Sequence, residues 1–582
     1  MARLKLPVKK MTGKTCKILG FSPVIFLMLT LFFSMSGGET HHDFPADGTL
    51  EEKVSRLIED RAATPAEQIY CAGELLCGSA ILPQFYARRG FRSAWFRGDS
   101  LNGQAYSMIE FLLSAEKEGL KAANYHSARI EELAADIDLL RKRRADLTAG
   151  LGTDLEMLLT DAFLLYGSNL LSGLVNPETI KAEWFIKSRE MDLPALLQQA
   201  LDSHAIADSL QKLPPQHDAY TNLRGALAKY RNLAYKGPWP QVPSGETIIP
   251  GAQDPRVTAL RKRLQASGDM PEQDAIPDDI FDEDLEKAVK NFQIRQGLDA
   301  DGRVGKNTLA ALNVPLEARI RQLVVNLERW RWLPSSFGEN YILVNIANFE
   351  LDIFEQGKIT LNMRVVVGNN NRKTPVFTEK MTYLEINPYW TIPELLAVED
   401  KLPKILKDPE YLKKQGIRVF DGWSEVAKEL DPQTVDWGSL GPGRFPFRLR
   451  QDPGPLNALG RIKFMFPNRF AVYLHDTPDK AYFSQSMRGF SSGCIRVERP
   501  LELAAYLLRE DPEWTSEQIQ ARIESGERTI IHLRDPVPVF LIYLTAWADG
   551  DGEVHFREDI YNRDDPLYNA LMTLPPGNKF SR

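Results

Sequence analysis

The chain of 582 residues is 43% hydrophobic, 26% charged and 10% aromatic, with a formal net charge of −7. Because a single hydrophobic core stops growing near about 250–300 residues, this length predicts two to four domains. The composition is that of globular proteins. The negative charge, with no basic stripe beyond the N-terminus, argues against nucleic acid as a partner.

The N-terminus combines basic residues with an uncharged apolar run. The basic residues precede the run and are Arg3, Lys5, Lys9, Lys10, Lys14 and Lys17. The run, ILGFSPVIFLMLTLFFSMSGG, is long enough to span a bilayer, and its SMS triplet resembles a cleavage site. We therefore predict that residues 1–38 are a signal peptide or an anchor in the inner membrane. The remainder of the chain is then exported to the periplasm.

Export changes how the four cysteines are interpreted. Cys16 precedes the apolar run, which leaves Cys71, Cys77 and Cys494 in a compartment that permits disulfides. Cys71 and Cys77 are close enough in sequence for a short-loop disulfide, and two buried helix thiols are the alternative. Cys494 is then the unpaired cysteine.

Residues 45–245 are predicted to form a helical scaffold domain. Stretches such as TDLEMLLTDAFLLYGSNLLSGL place apolar residues at spacings of three and four, and strand-like alternation is scarce. The Gly- and Pro-dense segment YKGPWPQVPSGETIIPGAQDP then marks a domain boundary.

Residues 250–315 are predicted to form a small domain of three helices. Their pattern resembles the peptidoglycan-binding domain of many wall enzymes. The residues that carry the resemblance are Phe292, Gln293, Gly297, Asp301, Gly302, Gly305 and Thr308. We expect Phe292 in the core, and we assign the three glycines to turns that need positive φ.

Residues 338–545 are predicted to form a mostly antiparallel β domain, because apolar residues recur at period two between turn residues. A long Pro- and Gly-rich insert, about 395–457, interrupts the strands, and loops of that length are commonly lids. Residues 546–582 are a C-terminal extension, in which DGDGE is interpreted as a hairpin turn rather than a calcium loop. The predicted fold class is therefore α+β and multidomain.

The segment FSSGCIRV contains the features of a catalytic thiol. A nucleophilic cysteine needs a base and donors for the oxyanion, and His475 closes the apolar strand FAVYLH 19 residues before Cys494. The amides around Gly493 and Cys494 are candidate oxyanion donors. Arg496 adds a positive charge that favours a thiolate or a substrate carboxylate.

Two other interpretations of Cys494 are less favoured. The serines and the arginine around it are unlike the plain apolar setting of an inert buried thiol. A metal site of His475, Asp476 and Cys494 lacks a second nearby Cys or His. We therefore predict no metal and no cofactor.

A histidine at a strand end followed by a Ser-x-Gly-Cys-x-Arg loop resembles the L,D-transpeptidase catalytic domain. The segment EINPYWTIP and the long insert are similar to its large periplasmic branch, which has a scaffold. In the wider family the histidine is usually followed by Gly, and the loop contains a second His. Here Asp476 and Ser492 occupy those positions.

The resemblance implies that Cys494 is the nucleophile and His475 the general base. Cys494 would attack the amide between the L-centre of diaminopimelate and the terminal D-alanine of a peptidoglycan stem. The acyl group would pass to the side-chain amine of a second stem as a 3-3 cross-link, and carbapenems would acylate the same thiol. The predicted oxyanion and substrate-binding residues are Gly493, Ser491, Ser492, Arg496 and Tyr473. Trp390 is interpreted as a packing residue.

Two other functions stay open. The same acyl-enzyme could use water, a D-amino acid or a lipoprotein lysine as the acceptor. A non-catalytic wall-binding protein is the alternative from another class. The binding module and the insert suit two bulky stems better than one small nucleophile.

Overall fold

The structure is a computed structural model that describes residues 48–573, apart from 64–69, 80, 141–144, 273–278 and 425. It also describes the two-residue strands Thr15–Cys16 and Phe580–Ser581, which pair in parallel. The rest of the predicted signal or anchor segment lies outside the described residues. Within the described residues, no helix has both the length and the apolar character needed to cross a membrane.

The N-terminal region is helical, as predicted. Its helices are Leu50–Ala63, Leu82–Arg88, Gly103–Leu113, Ser127–Leu140, Ala145–Ser172, Leu193–Asp202, Ile206–Gln211 and Asp218–Ala234. The central helix Ala145–Ser172 is buried along most of its length, so it forms the axis around which the others pack. That helix ends at Gly173, which has a φ of +89°. Glycine adopts this angle without strain, whereas other residues do so only at a cost.

The structure contains no disulfide between Cys71 and Cys77. Cys71 lies in the short strand Tyr70–Cys71 rather than in a helix. Its sulfur lies 3.7 Å from Met157 Sδ on the central helix. The sulfur of Cys71 therefore packs against the helical core.

The predicted three-helix domain is present, with helices Val257–Ser267, Glu283–Arg295 and Lys306–Leu312. Phe292 is in its core, as predicted. Gly297 and Gly302 have the predicted positive φ, at +68° and +73°. The same prediction is wrong for Gly305, which caps the third helix with a φ of −84° that any residue adopts.

The strand-rich region predicted over 338–545 is built on one nine-stranded sheet. Its strands are β1 (Asn340–Asn345), β2 (Glu350–Glu355), β3 (Lys358–Gly368), β4 (Phe377–Ile386), β5 (Ile462–Met465), β6 (Leu474–His475), β7 (Gly489–Ser491), β8 (Ile495–Val497) and β9 (Thr529–Ile542). Their order is β7-β3-β8-β6-β5-β4-β9-β1-β2, and β2 also pairs with β3, which closes the sheet on itself. The mostly-strand character predicted for this region is confirmed.

Helices surround the sheet and join it to the N-terminal region. Helix Leu316–Arg331 leads into β1 and packs on helix Asp218–Ala234, and both contribute to the core that the sheet lines. Helices Pro500–Leu508 and Ser516–Ser525 precede β9, and Asp564–Thr573 follows it. One continuous core therefore links the end of the scaffold to this sheet.

The insert folds as a unit with its own hydrophobic core rather than as a loop. It starts earlier than the predicted boundary at about 395, because its strands, in sheet order, are Trp390–Thr391, Arg448–Gln451, Ile417–Phe420 and Glu429–Leu430. A helical segment runs from Glu394 to Lys407, and its residues Ala397–Lys401 form a turn of π-helix. The Pro and Gly content of the insert did not indicate this core.

A hairpin of Ala546–Ala548 and Val554–Phe556 follows the sheet. Its turn contains DGDGE, so the predicted hairpin turn is confirmed.

Candidate active site

The register of the sheet brings the histidine strand beside the cysteine loop. β6 and β8 pair in parallel, with Leu474 opposite Ile495 and His475 opposite Arg496. The amide of Ile495 donates to the carbonyl of Tyr473 at 3.1 Å. Cys494 therefore lies next to the strand that ends at His475.

Ser491 holds the loop in shape from a buried position. Its hydroxyl donates to the carbonyl of Cys494 at 2.5 Å and accepts the amide of Gly493 at 3.1 Å. Gly493 has a φ of +112°, and its carbonyl accepts the Thr374 hydroxyl at 2.9 Å. The Gly493 amide is thus already occupied, whereas the Cys494 amide has no hydrogen bond within the described chain.

The thiol of Cys494 is half-buried and protonated at neutral pH. Its sulfur lies 3.7 Å from the carbonyl of Ala471. Burial raises the pKa of the thiol, and contacts with Tyr473 and the charges of Lys463 and Arg496 offset only part of that rise. The resting side chain is therefore a thiol rather than a thiolate.

His475 is buried and neutral. Burial lowers its pKa to about 3, and the positive charges of Arg496 and Lys463 act in the same direction. Its Nδ1 lies 2.5 Å from the carbonyl of Asp476, which can only accept, so Nδ1 carries the proton and Nε2 is the free base. No hydrogen bond joins the imidazole to Cys494 among the residues described, and such contacts often form only with substrate.

The side chain of Asp476 is anchored on both oxygens, which fixes the Asp476 carbonyl that orients His475. Its Oδ2 accepts the amide of Arg461 at 2.8 Å, and its Oδ1 lies 2.6 Å from Lys480 Nζ. A side chain on Gly460 would collide with this carboxylate, since a Cβ there would lie 2.4 Å from its Cγ. The sequence marked Asp476 only as a departure from the family.

The other predicted site residues lie around the thiol in different roles. Tyr473 and His475 pack edge to face, with ring centroids 5.7 Å apart. Arg496 pairs with Asp479 at 3.2 Å. Ser492 is exposed, and its hydroxyl accepts Arg372 Nη1 at 3.1 Å.

Two cationic residues near the thiol, Arg372 and Lys463, have no motif that would reveal them in the sequence. Arg372 follows β3 and reaches the insert as well as Ser492. Lys463 lies opposite His475 in the sheet. Trp390 lies in the insert, where Lys401 Nζ is 5.1 Å from its ring centroid, so it packs within the insert.

The scaffold reaches the segment beside the thiol. The amide of Phe185 donates to the carbonyl of Val376 at 2.8 Å, which adds a bridge to the start of β4. The ring of Phe185 lies 4.6 Å from that of Phe470, directly before Ala471. The scaffold thus supports the residue whose carbonyl contacts Cys494.

One group of metal-type ligands is present in the part of the chain that the structure describes. Ligand atoms of Asp549, Glu553 and His555 lie within 4.8 Å of one another on the C-terminal hairpin. Each has a protein partner, because Asp549 contacts His555 at 3.2 Å and Glu553 pairs with Arg295 at 3.4 Å. These ion pairs explain why the three side chains lie close together, and a metal ion is not needed to hold them.

Three regions of the chain match known domain families. Residues 80–227 match a scaffold domain, 253–312 a peptidoglycan binding domain, and 339–538 the L,D-transpeptidase catalytic domain. A protein of Haemophilus influenzae named "Putative L,D-transpeptidase" is 37% identical over 285 residues, which are 48% of this chain and 56% of that protein. The chain thus spans about half the length of this relative.

Two solved structures of L,D-transpeptidases are also similar. The enzyme from Xylanimonas cellulosilytica is 16% identical with a TM-score of 0.15, over 52% of this chain and 99% of its own. The enzyme from Stackebrandtia nassauensis is 14% identical with a TM-score of 0.20, over 52% of this chain and 96% of its own. Such low scores add nothing to the family match. That match shows that residues 339–538 are an L,D-transpeptidase catalytic domain, which the chain joins to scaffold and peptidoglycan binding domains.

Proposed function

We propose that this protein is a cysteine-dependent L,D-transpeptidase that forms 3-3 cross-links between peptidoglycan stems and releases D-alanine. The observation that carries the proposal is the pairing of β6 with β8, which places Cys494 beside the strand of His475 within a matching family domain. The site of action is the periplasm.

The reaction begins from a neutral pair. His475 Nε2 takes the thiol proton as the sulfur of Cys494 attacks the amide carbonyl carbon between diaminopimelate and D-alanine. The Cys494 amide, which has no partner within the described chain, donates to the oxyanion. His475 then returns the proton to the departing amine, and the carbon–nitrogen bond breaks to leave a thioester.

The second half uses another stem as the acceptor. Its side-chain amine attacks the thioester carbonyl and loses a proton to His475. The carbon–sulfur bond then breaks, and the sulfur leaves with a proton to restore the thiol. Because the resting imidazole is neutral, it can accept a proton in both halves.

The other domains suit a polymeric substrate. A peptidoglycan binding domain adds a second point of attachment to the wall, which raises the local concentration of stems. The insert lies against the cysteine loop through Arg372 and acts as a lid.

Products from purified disaccharide-tetrapeptide test the proposal, with the chain lacking residues 1–38 and its Cys494→Ala variant. We expect a cross-linked dimer that has lost one D-alanine, identified by mass and fragmentation, and nothing from the variant. A tripeptide monomer alone would identify water as the acceptor. No product and no acyl-enzyme would favour a non-catalytic wall-binding protein.

A further inference from the structure

A row of ionisable side chains crosses the sheet beside the thiol. Lys463 on β5 is opposite Glu385 on β4 and His475 on β6, and His475 is opposite Arg496 on β8. Residues directly opposite one another on neighbouring strands project to the same face. The four side chains therefore occupy one face of the sheet, with Lys463 next to His475.

Three members of this row already have polar partners. Glu385 Oε2 lies 3.2 Å from Arg528 Nη2, and Arg496 pairs with Asp479. His475 donates to the carbonyl of the next residue. Each of these groups thus has at least one polar partner within the protein.

Lys463 differs from the other three. Its Nζ lies 4.3 Å from the ring centroid of Tyr473, and within the described chain it has no hydrogen bond or ion pair. An ammonium has three donors, and no described residue accepts a hydrogen bond from this half-buried one. Burial lowers the pKa of Lys463, while the charge of Glu385 opposes that change. The ammonium of Lys463 can therefore take a further acceptor beside the thiol.

We propose that Lys463 binds a carboxylate of the donor stem, an assignment that rests on the proposed function. The donor has two carboxylates near the amide that Cys494 attacks, one at the C-terminus of D-alanine and one on the side chain of diaminopimelate. Either would supply charged acceptors for the donors of the Lys463 ammonium.

Binding of this carboxylate would also change the base. The charge of Lys463 helps to lower the pKa of His475. A bound carboxylate neutralises that charge, so His475 becomes more basic once a donor is in place. Lys463 would then couple donor binding to proton transfer.

The test compares acylation of the wild type, Lys463→Met and Lys463→Arg by intact-protein mass. Three donors are used: the free tetrapeptide, its C-terminal amide, and the form with the diaminopimelate side-chain carboxylate amidated. We expect one amidation to lower kcat/KM of the wild type by roughly 10- to 100-fold. With the free donor, kcat/KM of Lys463→Met should be lower than that of the wild type by a similar factor. The amidation that slows the wild type should not slow Lys463→Met further. Lys463→Arg should still prefer the free donor to this amidated one.

The amidated donor that acylates the wild type more slowly identifies the carboxylate that Lys463 binds. If Lys463→Met still discriminates between the donors, or is slowed equally with all three, Lys463 has no carboxylate-binding role. Equal rates of the wild type on all three would also overturn the assignment. Absence of acyl-enzyme from the wild type with every donor would instead refute the proposed function.

Discussion

Arg372 and Asp400 form a two-point ion pair between the catalytic sheet and the insert. The distances are 2.7 Å from Nη1 to Oδ2 and 2.8 Å from Nη2 to Oδ1. Glu399 contacts the same guanidinium at 2.5 Å. Glu399 and Asp400 both lie in the π-helical turn of the insert. Since Arg372 also donates to Ser492, one side chain connects the insert to the cysteine loop.

Breaking this connection should weaken donor capture. We expect Arg372→Gln to lower kcat/KM for acylation by about 3- to 10-fold, since the pair is partly exposed. High salt should shrink the difference by screening the ion pair. Arg418→Gln is the matched control, because Arg418 pairs with Glu429 and Asp452 inside the insert. A similar loss in both variants would mean that the insert is merely destabilised.

Carbapenem labelling should identify the nucleophile. A thiolate able to attack an amide should also open a strained β-lactam, so intact mass should rise by one inhibitor. Tryptic mapping should place the adduct on GFSSGCIR, and Cys494→Ala should remain unlabelled. An adduct on Cys71 or Cys77 would show that Cys494 is not the reactive thiol.

Loss of His475 should slow acylation and change its dependence on pH. The neutral imidazole serves as a base above about pH 3, so His475→Ala should lose about 10²- to 10⁴-fold at neutral pH. The variant should recover in alkali as the thiol ionises by itself. Because burial raises the pKa of Cys494, this recovery should lie above the range of an ordinary cysteine. Acylation rates from pH 6 to 10 measure it, and an unchanged neutral rate would exclude His475 as the base.

His126 should make the scaffold less stable as the pH rises. Its Nε2 lies 2.9 Å from Asp161 Oδ2, and its Nδ1 lies 3.2 Å from Glu74 Oε2. Burial alone would lower its pKa, but these two contacts outweigh it and raise the pKa from 6.5 to about 9. A group whose pKa rises on folding stabilises the folded state fully when the pH is below the pKa of that group in the unfolded chain. For His126 this contribution disappears as the pH rises through 9.

Melting temperatures between pH 6 and 9.5 check this prediction. Over this window the free energy of unfolding should fall by up to about 3 kcal/mol more in the wild type than in His126→Gln. Equal losses in the two proteins would show that His126 is neutral in the folded scaffold.

The sequence predicted the parts of this protein that local patterns determine. Helical periodicity identified the scaffold, and a compact motif identified the cysteine loop. Lys463 was missed because its position opposite His475 depends on strand register, which no local pattern records. The core of the insert was missed because residues such as Ile405 and Val419 are scattered over short elements. Gly305 shows the same limit, since glycine permits positive φ without requiring it.

The pairing of β9 with β1 and β4 has a consequence for synthesis. Val539 on β9 is opposite Ile342 on β1 and Glu379 on β4, so the strand that joins these two is made last. At about 5–20 residues per second, roughly 10–40 s separate the emergence of β1 from that of β9. During that time both strands have open edges, which are prone to aggregation. Truncated chains that end before Thr529 therefore cannot complete the sheet, even though they contain both Cys494 and His475.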